Sequence, residues 1–101
     1  MHYLLMYDLG PDYLDRRAAF RDEHLALARE AHARGELLLG GALSDPVDVS
    51  LLLFTGTSPD AALRFASADP YVQHGLVSHW RVRPWITVVG SETASPFHPA
   101  P

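Results

Sequence analysis

Hydrophobic and polar positions divide the chain into six elements. Residues 2–8, HYLLMYD, are rich in Tyr and Leu and predict a strand. Gly10-Pro11 marks a turn, with Pro11 where a helix can begin. From about Asp12 to Arg34 apolar residues recur at helical spacing, and Gly35 stands where a helix is closed. Residues 36–43 and 48–55 predict two strands, joined by the turn residues Ser44-Asp45-Pro46. Ser58 as N-cap, with Pro59 in the first helical position, opens a second helix that runs to about Ser67 and stops at Asp69-Pro70. A last strand covers about Val77 to Val89. The domain therefore spans 1–90, and 91–101 is a C-terminal tail whose Ser, Thr and Pro offer little to bury.

The order β-α-β-β-α-β is the ferredoxin-like pattern, an α+β fold with a four-stranded antiparallel sheet. Right-handed crossovers put both helices on one face of it. The first three strands are nonetheless apolar on both faces. Tyr3, Leu5 and Tyr7 alternate with Leu4 and Met6, while Leu37-Leu38-Leu39 and Leu51-Leu52-Leu53-Phe54 do not alternate at all. An antiparallel sheet with one wet face alternates cleanly, and a bare apolar face would exceed what monomers expose. The pattern predicts a homodimer packed sheet to sheet. On the last strand, Trp80, Val82, Ile86 and Val88 read as core, and His79, Arg81, Arg83, Trp85 and Thr87 as the other face.

The long helix carries the sharpest chemical signal. At about 100° per residue, Leu14, Ala18, Phe20, Leu25, Leu27, Ala28 and Ala31 share one arc. Arg17, Arg21, His24 and His32 intrude on it. The first three follow i, i+4, i+7 spacing and form one stripe. Charge on a core-facing stripe is costly unless it is paired or borders a cleft. One reading has both arginines snorkel to the rim around a satisfied core histidine. The other makes a cleft with His24 as proton carrier and Arg21 or Arg17 as anion anchor. Asp69 is the foremost candidate to orient His24, ahead of Asp8, and otherwise a plain helix-terminating turn. Tyr7 borders the cleft or belongs to the core or dimer face. His32 has the simpler role of meeting the last helix carbonyls.

Composition narrows the classes. With 101 residues the chain is one domain, and with no cysteine it has neither disulfides nor thiolate chemistry. The absence of disulfides and of a visible leader predicts a cytoplasmic protein. No apolar run reaches the roughly 20 residues of a membrane span. A formal charge of −4 argues against nucleic-acid binding. All the basic residues are Arg, so lysine Schiff-base chemistry is excluded. No histidine pair has metal-ligand spacing, Gly40-Gly41 lacks the Lys and helix of a phosphate loop, and no nucleophile elbow occurs.

The run RDEHLALAREAHARGELLLGG, followed by ASADPYVQHGL and then VRPW, resembles the YciI-like family of small bacterial proteins. The likeness covers nearly all of residues 2–89 and rests on R-x-x-H, G-x-L-x-x-G-G, A-D-P-Y and V-x-P-aromatic together. It implies a ferredoxin-like fold in a dimeric α/β barrel. It also implies a His-Asp dyad, whose histidine matches His24 and aspartate Asp69, with the preceding arginine at Arg21. Related proteins carry out dehydrochlorination and lactone isomerisation, in which a proton moves beside a carbonyl or hydroxyl with no metal or organic cofactor. The expectation is a cofactor-free lyase or isomerase acting on a small anionic or aromatic-derived metabolite. The alternatives are a non-catalytic module that senses such a metabolite in the same cleft, and a structural protein whose dyad only stabilises the fold.

Overall fold

The computed structural model describes residues 1–90; the tail, residues 91–101, lies outside the described residues. Strand β1 (His2–Leu9) leads through α1 (Tyr13–Arg16), a 3₁₀ turn (Arg17–Ala19) and α2 (Arg21–Ala33) to β2 (Leu37–Ala42) and β3 (Val49–Thr55). Helices α3 (Asp60–Ala68) and α4 (Pro70–Gln73) precede β4 (Val77–Trp85). The sheet has the order β2-β3-β1-β4 and is antiparallel throughout, as the α+β ferredoxin-like pattern requires.

Register assigns the two faces of the sheet. Tyr3, Leu5 and Tyr7 of β1 stand opposite Phe54, Leu52 and Ser50 of β3, and opposite Pro84, Val82 and Trp80 of β4. On this face Leu5, Tyr7, Leu52 and Phe54 are buried against Ala31 of α2, Ala62, Phe65 and Ala66 of α3, and Tyr71 of α4. The opposite face carries Leu4 and Met6 between Leu53 and Leu51 on one side and Arg83 and Arg81 on the other. No helix among the described residues covers it: Leu39 is 73% exposed and Trp85 47%.

Local signals close the elements. Gly35, at φ 80°, ends α2 in a Schellman motif: its N–H donates to His32 and that of Glu36 to Ala31. Gly75, at φ 77°, ends α4 in the same way. No helix among the described residues is long and apolar enough to cross a membrane.

Four expectations need correction. The first helix is interrupted, not continuous from Asp12. Three residues of 3₁₀ winding, at 3.0 per turn, shift the helical phase by about 60°. Leu14 and Ala18 are therefore exposed, and Tyr13 enters the core instead, its ring edge-on to Tyr71 at 5.5 Å. At α3 the N-cap position belongs to Pro59, although the Ser58 hydroxyl still accepts from the Asp60 N–H at 3.3 Å. Asp69-Pro70 does not only stop a helix; it also starts α4. Finally, β4 ends at Trp85, because its partner β1 begins at His2, which pairs with Trp85. Ile86 is consequently exposed rather than core.

Core and surface leucines are expected to separate cleanly in urea unfolding. Leu5→Ala should cost about 2–5 kcal/mol, as for other buried Leu→Ala changes. Leu14→Ala should stay within about 0.5 kcal/mol. A large loss at Leu14 would restore the continuous helix with its full apolar arc.

Candidate active site

Asp69 occupies the joint between α3 and α4 with an extended backbone, φ −70° and ψ 122°, and is fully buried. Burying a carboxylate demands donors, and three elements supply them. The Tyr71 N–H, at the start of α4, donates to Oδ1 at 3.0 Å. The Tyr7 hydroxyl, from the centre of β1, donates to Oδ2 at 2.8 Å. His24 Nδ1, from the first turns of α2, lies 2.9 Å from Oδ1 and 3.0 Å from Oδ2. Among the described residues, no buried side-chain nitrogen or oxygen lacks a partner.

The carboxylate accepts, so Nδ1 of His24 carries the proton. In the neutral ring Nε2 carries the lone pair; it has no partner among the described residues and, with no orphaned buried atom among them, it is open to the cavity that His24 lines. The imidazole is held flat against Tyr71, with centroids 4.1 Å apart and planes at 14°, and meets Phe65 edge-on at 6.2 Å. Ring orientation and tautomer are thus both set by neighbours, an arrangement suited to moving a proton.

The cavity has a volume of about 400 Å³ and lies between α2 and the β2–β3 edge of the sheet. Arg17, Arg21 and Tyr71 line it beside His24. The Arg17 guanidinium stands 5.9 Å over the Tyr13 ring. Burial first, then the neighbouring Tyr13, pushes the Tyr71 phenol up to about 12, against a downward pull from Arg21. Burial, followed by the charge and hydrogen bond of Asp69, raises the Tyr7 phenol well above its ordinary range. Among the described residues, no three His, Asp or Glu side chains gather as metal ligands.

The structure brings His24, Asp69, Arg21 and Arg17 together but places two candidates elsewhere. Tyr7 does not line the cavity; it is wholly buried in the core and reaches the site by its hydrogen bond to Asp69. Asp8 lies 3.6 Å from both His79 and Arg81, its neighbours across the β1–β4 pair, and not at His24. Sequence reasoning missed Tyr71 as the platform under His24. Its only signal was an aromatic residue two places after Asp69, and the contact depends on how α4 docks. His32 donates from Nδ1 to the Leu37 carbonyl at 2.8 Å and joins the end of α2 to β2.

Both raised phenols bind their protons more tightly in the folded chain, which sets the sign of an alkaline effect. Stability is full below the ordinary phenol value of 10.0 and falls as pH rises through about 12, where folded Tyr71 ionises. Urea midpoints should hold steady below pH 10 and drop above it. Tyr71→Phe should flatten part of that drop; an unchanged slope would mean that Tyr71 ionises alike in both states.

The YCII-related domain matches residues 1–86. The protein YciI of Escherichia coli is 34% identical over 94 residues, covering 84% of this chain and 96% of that one. Among solved structures, the 5-chloro-2-hydroxyhydroquinone dehydrochlorinase TftG of Burkholderia phenoliruptrix, in complex with 2,5-dihydroxybenzoquinone, superposes with a TM-score of 0.72 at 24% identity, over 84% of this chain and 93% of its own. A NIPSNAP family protein of Agrobacterium tumefaciens superposes at 0.52 with 16% identity, over 81% and 87%. The match to the domain across nearly all described residues makes this chain a member of the YCII-related family.

Proposed function

We propose that the protein is a lyase or isomerase that moves a proton on a small anionic or aromatic-derived metabolite, with His24 as general acid and base. The observation that carries this reading is the His24 ring, held by Asp69 at Nδ1 with Nε2 left open to a cavity whose near wall holds Arg21 and Arg17. Nε2 takes a proton from a hydroxyl, or from carbon beside a carbonyl. The released electron pair forms a new double bond and drives charge onto the ligand oxygen, where the guanidinium groups of Arg21 and Arg17 receive it. The cycle then closes in one of two ways. A leaving group departs with its bonding pair and the imidazolium then gives up its proton to solvent, as in a dehydrochlorination, or the imidazolium returns its proton to another carbon, as in an isomerisation. Asp69 positions the ring and offsets the imidazolium charge throughout. The likeness to a dehydrochlorinase fold supports the lyase branch, and the Tyr13 and Tyr71 rings at the cavity suit a flat substrate.

Proton transfer can be read before the natural substrate is known. Hydroxyquinones incubated with the protein in heavy water should exchange ring hydrogens faster than in buffer, followed by NMR. His24→Ala should slow this by about 10²–10⁴-fold, the usual worth of acid–base help. Asp69→Asn should slow it too, while the fold persists by circular dichroism. Ligands that bind but exchange no faster than in buffer would instead make the cavity a sensing site.

A homodimer completes the reading. The sheet face bearing Leu4, Met6, Leu51, Leu53, Leu39 and Trp85 is apolar over β1–β3, with Arg81 and Arg83 along β4, and no helix among the described residues covers it; a second copy of the same face covers it with matching chemistry. Sedimentation at micromolar concentration should give twice the 11.2 kDa chain mass. A single species at the chain mass would refute it.

A further inference from the structure

The basic charge of the chain, apart from histidine, resides in eight arginines, and these divide by partner. Arg16 pairs with Asp12 at 3.3 Å, Arg34 and Arg64 share Glu36 at 3.0 and 3.5 Å, and Arg81 lies 3.6 Å from Asp8. Arg17, Arg21, Arg29 and Arg83 have no carboxylate within ion-pair distance among the described residues. Three of these four line the cavity. Three cations without carboxylate partners along one wall of a partly open cleft give it a local positive potential, although the formal charge of the chain is −4.

The three are not clustered at one point. Arg17 and Arg21 stand at the end marked by His24 and Tyr71. Arg29 follows Arg21 by eight residues on α2, which at 1.5 Å per residue places it about 12 Å further along the helix axis. Leu25 and Ala28 of α2, with Leu37 and Leu52 of the sheet, line the space between. His32, bonded to the Leu37 carbonyl, closes α2 onto β2 at the far end. Along the helix the lining therefore runs cationic, apolar, cationic.

We propose that Arg29 is a second anion anchor and that the cavity takes an elongated dianion, with an acidic group at each end and an apolar spacer between. This rests on the reading that His24 acts on an anionic ligand. Arg21 and Arg17 hold the end at which the proton moves. Arg29 holds the remote acid and fixes which carbon of the spacer lies against Nε2. Binding at a non-reacting end is an effective way to orient the reacting one. A monoanion of equal length is held at one end only and slides along the apolar stretch.

Straight-chain carboxylates test this without knowledge of the natural substrate. Adipate is compared with hexanoate, and suberate with octanoate, by calorimetry and by the NMR signals of the His24 ring. At the fitting length, the dicarboxylate should bind the wild-type protein roughly tenfold more tightly than its monoanion, a typical worth for one added charge-assisted contact at a partly open site. Arg29→Gln, at an exposed position and checked for an unchanged thermal melt, should erase that advantage. Arg21→Gln should weaken dianions and monoanions alike. An undiminished advantage in Arg29→Gln, or affinity indifferent to the second carboxylate, would overturn the second anchor while leaving the His24 site standing, provided that monoanions still shift the His24 signals. If no carboxylate shifts those signals, the anionic-ligand reading falls together with the second anchor.

Discussion

A carboxylate with no access to water is the constraint around which this protein is arranged. Asp69 is fully buried, and an ionised group in that position costs several kcal/mol unless its oxygens are bonded. Its donors come from the middle of β1, the start of α2 and the start of α4, so satisfying one side chain requires three elements to converge. The same convergence places an imidazole at the cavity with one nitrogen bound and the other free. Fold and site are one hydrogen-bond network, and a change that loosens Asp69 acts on both.

The sheet serves two purposes through the period-two alternation of its strands. Tyr3, Leu5 and Tyr7 face the helices, and Tyr7 continues that role into the network by donating to Asp69. Leu4 and Met6, one residue out of phase, face away beside Leu53 and Leu51. A shift of one residue in register would exchange the faces and take the Tyr7 hydroxyl away from the carboxylate. Register in β1 is thereby set by a polar contact as well as by apolar burial.

Charge is distributed in keeping with the chemistry of the cavity. Carboxylates pair with Arg16, Arg34, Arg64 and Arg81 outside the cavity, while Arg17, Arg21 and Arg29 on its wall have no carboxylate partner among the described residues. His24 is stacked on Tyr71, in T-shaped contact with Phe65 and bonded to Asp69, so the proton carrier is fixed in place while the anion anchors are long and adjustable. Rigid positioning at the reacting atom, with flexible arms toward the ligand ends, suits a site whose ligands share chemistry more than shape.

The sequence by itself determined the order of the main elements, the doubly apolar sheet, and the pairing of Arg21 with His24 on one helix face, because these follow from spacing along one strand or one helix; Arg17 reaches the same cavity from the 3₁₀ turn before that helix. It also marked Asp69 as the partner to expect, since the end of the second helix must fall on the same side of the sheet as α2. Gly35 closed its helix as its position required, because the left-handed backbone there is a local property. Only the tertiary structure decided that Tyr7 is buried in the core and bonded to Asp69 rather than at the cavity, and that Asp8 pairs across β4. Only it placed Tyr71 as the platform for His24. It also broke the long helix, as a 3₁₀ turn exchanged Leu14 for the larger Tyr13 in the core. Each of these depends on contacts between residues far apart in the chain, where packing and the need to satisfy a buried charge outweigh local preference.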